Sequence, residues 1–72
     1  MADVPSQITG TVWKIEVTVG QQVAVGDVLV ILESMKMEIP VTAPVAGRVS
    51  ELRVAAEDTV QEGDVVAVID EG

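Results

Sequence analysis

The segment GTVWKIEVTVGQQVAVGDVLVILE, from Gly10 to Glu33, decides the fold because the chain repeats it. At an offset of 37 residues, the segment GRVSELRVAAEDTVQEGDVVAVID runs from Gly47 to Asp70 and aligns with the first without a gap. Seven of the 24 aligned positions are identical, and both copies carry V-x-x-G-D-V at the same place. The repeat predicts two similar halves of one structure.

The residues that follow Gly10 alternate in the manner of a β-strand. Trp13, Ile15 and Val17 are apolar, and the residues between them are charged. A period of two predicts a strand with one face toward the core, so we expect Trp13, the only aromatic residue, to be a core residue. No window shows a sustained helical period, and the apolar residues are chiefly valine. This composition favours an all-β fold.

A turn and an apolar run complete each copy. Gly-Asp occurs at 26–27 and again at 63–64; glycine accepts positive φ and aspartate bonds to nearby backbone, as turns require. The runs VLVIL (28–32) and VVAVI (65–69) follow those turns and predict buried strands. Neither copy can bury its apolar face alone. We therefore expect the two to close on each other as a small flattened barrel or sandwich with an approximate twofold axis.

Size and composition limit the classes of function. A chain of 72 residues forms one domain at most. It contains no cysteine and no histidine, so we expect no disulfide, no metal site and no histidine-activated nucleophile, and hence no catalytic residue. The net charge of −8 is repelled by phosphate backbones and anionic lipids. We expect neither nucleic-acid nor membrane binding, and the lack of a signal-peptide pattern predicts a cytoplasmic protein.

The link between the copies, ESMKMEIP (33–40), predicts a hairpin at 34–37. If its loop has two residues, Met35 and Lys36 lie at the centre. Such loops require positive φ at one or both central positions, where Asn-Gly or Gly-x is usual. A chain that follows the turn rules at both Gly-Asp pairs departs from them here, which indicates a functional position. We expect positive φ at Met35 or Lys36.

The same pairing places Ser34 opposite Met37, and Glu33 opposite Glu38. Opposed like charges cost a fraction of a kcal/mol, a second local cost at this hairpin. By its spacing alone, Lys36 is an ordinary exposed lysine of a turn. A functional interpretation therefore rests on the motif as a whole.

The motif E-S-M-K-M-E, from Glu33 to Glu38, resembles the attachment sequence of the biotinyl domain family, whose centre is Met-Lys-Met with a glutamate three residues before the lysine. The similarity covers nearly the whole chain. It extends to three further segments: V-x-x-G-D-V-L (23–29), A-P-x-x-G-x-V (43–49) and G-D-V-V (63–66). The related lipoyl domains share the fold and the glutamate but usually carry Asp-Lys-Ala, so Met35 and Met37 favour biotin.

The resemblance implies a flattened eight-stranded barrel-sandwich of two four-stranded antiparallel sheets with a quasi-twofold axis. It implies that residues 1–72 form a single attachment domain, with one repeat at 10–33, the hairpin at 34–37 and the other repeat at 47–70. It places the lysine at an exposed hairpin, remote from the termini. Because the repeats align without a gap, the chain is similar to the small stand-alone biotinyl domains that lack a protruding thumb. A monomer is expected.

The same resemblance implies a carrier rather than an enzyme. A biotin protein ligase would attach biotin to Lys36, and the arm would carry CO₂ between biotin carboxylase and carboxyltransferase active sites. The implied recognition motif consists of Glu33, Ser34, Met35, Met37 and Glu38. The methionines suit recognition because flexible apolar side chains adapt to a partner surface.

Two alternatives remain open. One is a lipoyl carrier, and the other is an unmodified interaction module of the same fold. The second would be marked by a hairpin without lysine, or by an exposed apolar patch beyond the two methionines. The sequence pattern shows neither mark.

Overall fold

The computed structural model describes all 72 residues and consists of eight β-strands without a helix. The strands are β1 (Ala2–Pro5), β2 (Gly10–Ile15), β3 (Gln22–Val23), β4 (Val28–Ser34), β5 (Met37–Thr42), β6 (Gly47–Leu52), β7 (Thr59–Val60) and β8 (Val65–Asp70). They form two four-stranded antiparallel sheets: sheet A, in the order β1-β8-β6-β3, and sheet B, in the order β5-β4-β2-β7. The predicted all-β fold of two four-stranded sheets is confirmed.

The 37-residue repeat of the sequence corresponds to an approximate twofold symmetry of the fold. Strands β2, β3 and β4 correspond to β6, β7 and β8, and β5 corresponds to β1, so the same shift converts the order of one sheet into that of the other. Each half places its two-residue strand in the other half's sheet, since β3 pairs with β6 and β7 pairs with β2. The halves are therefore interlocked as well as stacked.

The two Gly-Asp turns have the same hydrogen bonds. The carboxylates of Asp27 and Asp64 each accept a hydrogen bond from the backbone N–H three residues earlier, at 2.9 and 2.8 Å. Gly26 and Gly63 have φ of 90° and 93°, a region that glycine adopts without steric cost. Both predicted turns are confirmed. They set the start of β4 and of β8, the strands at the centre of the core.

The core lies between the sheets and is aliphatic. Both apolar runs contribute to it as predicted, although Val28, at the start of the first run, is 36% exposed. The largest fully buried apolar side chains are Leu29, Leu32, Ile69, Val12, Val30, Val49 and Val66. The single buried polar residue, Ser6, donates its hydroxyl hydrogen to the carbonyl oxygen of Ile8 at 2.6 Å. No buried side-chain nitrogen or oxygen lacks a hydrogen-bond partner.

Trp13 is not in the core, and the prediction from alternation is wrong at this residue. Its side chain is 49% exposed, whereas Val12 is 1% exposed. Val12 pairs with Leu32 and Lys14 pairs with Ile31, which leaves Trp13 as the extra residue of a β-bulge. A bulge interrupts the alternation of faces along a strand. Val12 consequently points into the core and Trp13 points out.

The hairpin and the chain termini lie at opposite ends of the molecule, as the resemblance implies. Strand β8 ends at Asp70, and β1 begins at Ala2 beside it. Asp70 lies next to Gly47, which pairs with Val23. A four-residue turn joins Val23 to Val28 at the start of β4. The seven residues of β4 then carry the chain about 20 Å away to the hairpin, in a molecule 36 Å long.

Candidate functional site

Strands β4 and β5 are joined by a two-residue turn of Met35 and Lys36. The ladder reaches the turn with its last two pairs, Glu33 with Glu38 and Ser34 with Met37. The φ angle is 52° at Met35 and 63° at Lys36, as in a type I′ turn. The predicted loop length and register are confirmed, and positive φ occurs at both central positions.

This turn is unfavourable for the residues that form it. A left-handed backbone costs a residue other than glycine about 1 kcal/mol or more. Burial of the methionine side chains does not offset this cost. Met35 is 91% exposed and Met37 is 64% exposed, so neither methionine contributes appreciably to the apolar core. The hairpin tip thus exposes two apolar side chains to solvent.

Lys36 is exposed, and its ammonium has no ion-pair partner. The two ion pairs of the molecule lie elsewhere, between Lys14 and Glu16 (3.3 Å) and between Arg53 and Glu51 (3.1 Å). Glu33 and Glu38 are exposed beside the turn, yet no carboxylate oxygen lies within 4 Å of the Lys36 nitrogen. The hairpin therefore presents one free amine in an acidic setting.

Other kinds of site are not evident. No group of three acidic, histidine or cysteine residues is arranged to hold a metal ion. A groove of about 240 Å³ opens between the β1–β2 connection and β5, with Ile8 and Ile39 among its lining residues. No helix of sufficient length and apolarity to cross a membrane is present.

One surface residue was misplaced by the sequence pattern, although the repeat carried a signal. Trp13 aligns with Ser50 in the second copy. A position that the fold requires in the core would be apolar in both copies, as Val12 and Val49 are. The pairing of an indole with a hydroxyl is instead typical of a surface position.

A two-sheet β domain that offers a single free lysine on a strained hairpin has the form of a carrier for a covalently attached group. Residues 1–69 match the model of the Biotin_lipoyl family, described as biotin-requiring enzyme, and the chain belongs to this family.

Relatives of similar length occur in bacteria. The chain is 54% identical over 67 residues to a protein of Mycobacterium leprae (strain TN) named biotinylated protein TB7.3 homolog, covering 93% of this chain and 94% of that protein. It is 47% identical over 60 residues to the biotin/lipoyl attachment protein of Bacillus subtilis (strain 168), covering 83% of this chain and 82% of the relative.

A solved structure shares the fold. The urea carboxylase of Kluyveromyces lactis superposes with a TM-score of 0.92 and 39% sequence identity. The match covers 96% of this chain but only 6% of that enzyme. The similarity therefore concerns one small domain of a much longer protein.

Proposed function

We propose that residues 1–72 form a single biotin carrier domain, in which a biotin protein ligase acylates the side-chain nitrogen of Lys36. The observation that carries the proposal is the type I′ hairpin that presents Lys36, exposed and without an ion pair. Membership of a biotin-requiring family supports it. The proposed recognition motif is Glu33, Ser34, Met35, Met37 and Glu38.

The residues present fit a covalent cofactor. Acylation requires a nitrogen that an enzyme can reach and that no internal carboxylate holds, and Lys36 meets both conditions. Lysine is protonated at neutral pH, so the ligase must remove a proton first. The nitrogen then attacks the acyl carbon of biotinyl adenylate. The new C–N amide bond forms as the bond from that carbon to the phosphate oxygen breaks, and AMP leaves.

The chain's own part in the later chemistry is positioning. Attached biotin supplies the capacity to carry CO₂ between active sites. The β4–β5 hairpin holds the attachment point at one end of a rigid molecule, and tethering raises the local concentration of the carried group at a docked enzyme. We propose biotin carboxylase and carboxyltransferase subunits as partners, since a matching domain lies within a urea carboxylase.

A lipoyl carrier is the second candidate, because a relative is named biotin/lipoyl attachment protein. Met35 and Met37 flank the lysine and favour biotin over the Asp-Lys-Ala usual at lipoyl sites. The intact mass of the chain from its native cells separates the two, since the adducts differ in mass. A monomeric, cytoplasmic carrier is part of the proposal, and sedimentation and cell fractionation test those two points.

The decisive experiment uses the fact that the chain has only two lysines. Co-expressed with a biotin protein ligase, Lys36→Arg should fold normally and give no streptavidin signal. Lys14→Arg is the matched control, because Lys14 is exposed but paired with Glu16, and it should be labelled like the wild type. A biotin adduct on Lys36→Arg would overturn the assignment.

A further inference from the structure

An exposed apolar row crosses the outer face of sheet B near the hairpin. We call Trp13, Ile31 and Pro40 the tryptophan row. Ile31 pairs with Pro40, and it also pairs with Lys14, next to Trp13 in the bulge. Leu32, the neighbour of Ile31 in β4, is fully buried in the core, so the side chain of Ile31, one residue along, points outward. Trp13 is 49% exposed, Pro40 is exposed and Ile31 is partly buried.

The other sheet shows that the fold does not require this row. The equivalent positions in sheet A are Ser50, Val68 and Asp3, with the same register and a bulge at the same place. The Ser50 hydroxyl donates to the carbonyl oxygen of Val68 at 3.1 Å and thus turns back onto the strand. The same backbone therefore carries a serine and an aspartate on one face, and a tryptophan and a proline on the other. The lysine's side therefore exposes a tryptophan and a proline, where sheet A has a serine and an aspartate beside the buried Val68.

An acidic row separates the tryptophan row from the hairpin tip. Thr11 pairs with Glu33, and Glu33 with Glu38, and all three are exposed. Pro40 is four residues from Lys36 along the chain, about 13 Å in extended conformation. The tryptophan row, the acidic row and Lys36 thus follow one another along sheet B. The complementary partner surface has an apolar pocket bordered by lysine or arginine.

We infer that this face is the docking surface of the biotin protein ligase, an inference that rests on the proposed function. The reach of the side chain favours the ligase over the enzymes that act later. A bare lysine extends about 6 Å from its Cα, and the biotinyl arm reaches roughly twice as far. The ligase must therefore bring its reacting group to the hairpin itself, and its body comes to lie over the adjacent face. Buried tryptophans contribute a large share of binding energy in such interfaces.

The test is the steady-state kinetics of biotinylation of the full chain by a purified ligase. Trp13→Ser, which installs the residue of the equivalent position, should raise the KM for the carrier about tenfold or more, with kcat little changed. Trp13→Phe should recover most of the affinity. The double variant Trp13→Ser/Ser50→Trp keeps the composition but moves the indole to sheet A, and its KM should stay as high as that of Trp13→Ser. Thermal melting of each variant verifies folding.

The outcomes separate the two proposals. If the wild type is labelled at Lys36 and Trp13→Ser has an unchanged KM, the docking inference is overturned and the carrier function stands. Recovery of the KM in the double variant, or a loss confined to kcat, also overturns the inference. A wild type that the ligase does not label removes the carrier function and the docking surface together.

Discussion

Met35 and Lys36 are the residues whose backbone is least suited to their side chains. Positive φ occurs at only three residues other than glycine, and two of them are adjacent in this turn. The third, Glu57, has φ of 74° and is the repeat equivalent of Gly20, with φ of 95°. Glu57 is strained because its position requires positive φ, which the other copy provides with a glycine. Strain at Met35 and Lys36 belongs to the hairpin alone.

Replacing Met35 by asparagine should stabilise the protein. Asparagine tolerates left-handed φ better than methionine, and Met35 is 91% exposed, so little packing is lost. We expect the free energy of unfolding to rise by about 0.5–1 kcal/mol, measured by chemical denaturation. Met37→Asn is the control: Met37 lies in β5 with an ordinary backbone and should show no gain. An equal gain at both positions would mean that polarity, and not φ, is responsible.

The turn angles could be predicted from the sequence, whereas the alternation within one strand gave the wrong direction for Trp13, and only its alignment with Ser50 pointed to the surface. A two-residue loop between paired strands admits few backbone conformations, so register and φ at Met35 and Lys36 follow from where the strands end. A bulge has no comparable signature in composition. Trp13, Ile15 and Val17 alternate regularly in the sequence, yet the extra residue at Trp13 turns Val12 inward instead.

Among the elements, β2 and β6 each begin with a glycine at a close backbone approach. A Cβ built on Gly47 falls within contact distance of the carbonyl oxygen of Asp70 and lies 2.8 Å from Cγ2 of Ile69. A Cβ on Gly10 lies 2.8 Å from the carbonyl oxygen of Glu33 and 3.4 Å from Cβ of Ser34. The space for a methyl group is thus smaller at Gly47, where a buried side chain also interferes.

Alanine substitutions should reflect that difference. We expect Gly47→Ala to lower the free energy of unfolding by about 2–3 kcal/mol, because β6 must shift against β8. Gly10→Ala should lower it by about 1 kcal/mol. Urea denaturation of both variants against the wild type measures the two losses. The reverse order, or two negligible losses, would contradict the close approach.

The repeat predicted the long strands, but it did not predict the two-residue strands β3 and β7. Strands β4 and β8 are apolar runs that follow recognisable turns. Strands β3 and β7 have two residues each, too few to show any period. Their pairing with the other half's sheet depends on the path of the preceding connection through space. The residue pattern within one copy does not predict the path of that connection.

At the scale of the whole molecule, the charge opposes folding. A net charge of −8 is held within 36 × 17 × 17 Å. The two ion pairs of the molecule are between partly exposed side chains, where such pairs contribute little. Acylation of Lys36 would remove one further positive charge. Self-repulsion is therefore a general cost of the native state, and it is greatest when salt is low.

Salt should accordingly stabilise the protein. Between 0.01 M and 0.1 M sodium chloride the Debye length falls from about 30 Å to about 10 Å, from nearly the length of the molecule to less than its width. We expect the thermal midpoint at neutral pH to rise by several degrees over this range, as followed by circular dichroism. The biotinylated form should rise at least as much. A midpoint that falls with added salt would contradict the repulsion.

The placement of the hairpin opposite the termini determines how the domain can be joined to other polypeptides. A linker at either end leaves from the pole farthest from Lys36, so a fusion partner or a solid support would not cross the path of the modified side chain. The fold is thereby suited to serve as a portable module, free or inserted in a long enzyme. On a sensor surface coupled through Ala2 or Gly72, each molecule should display its Lys36 amine toward the solution.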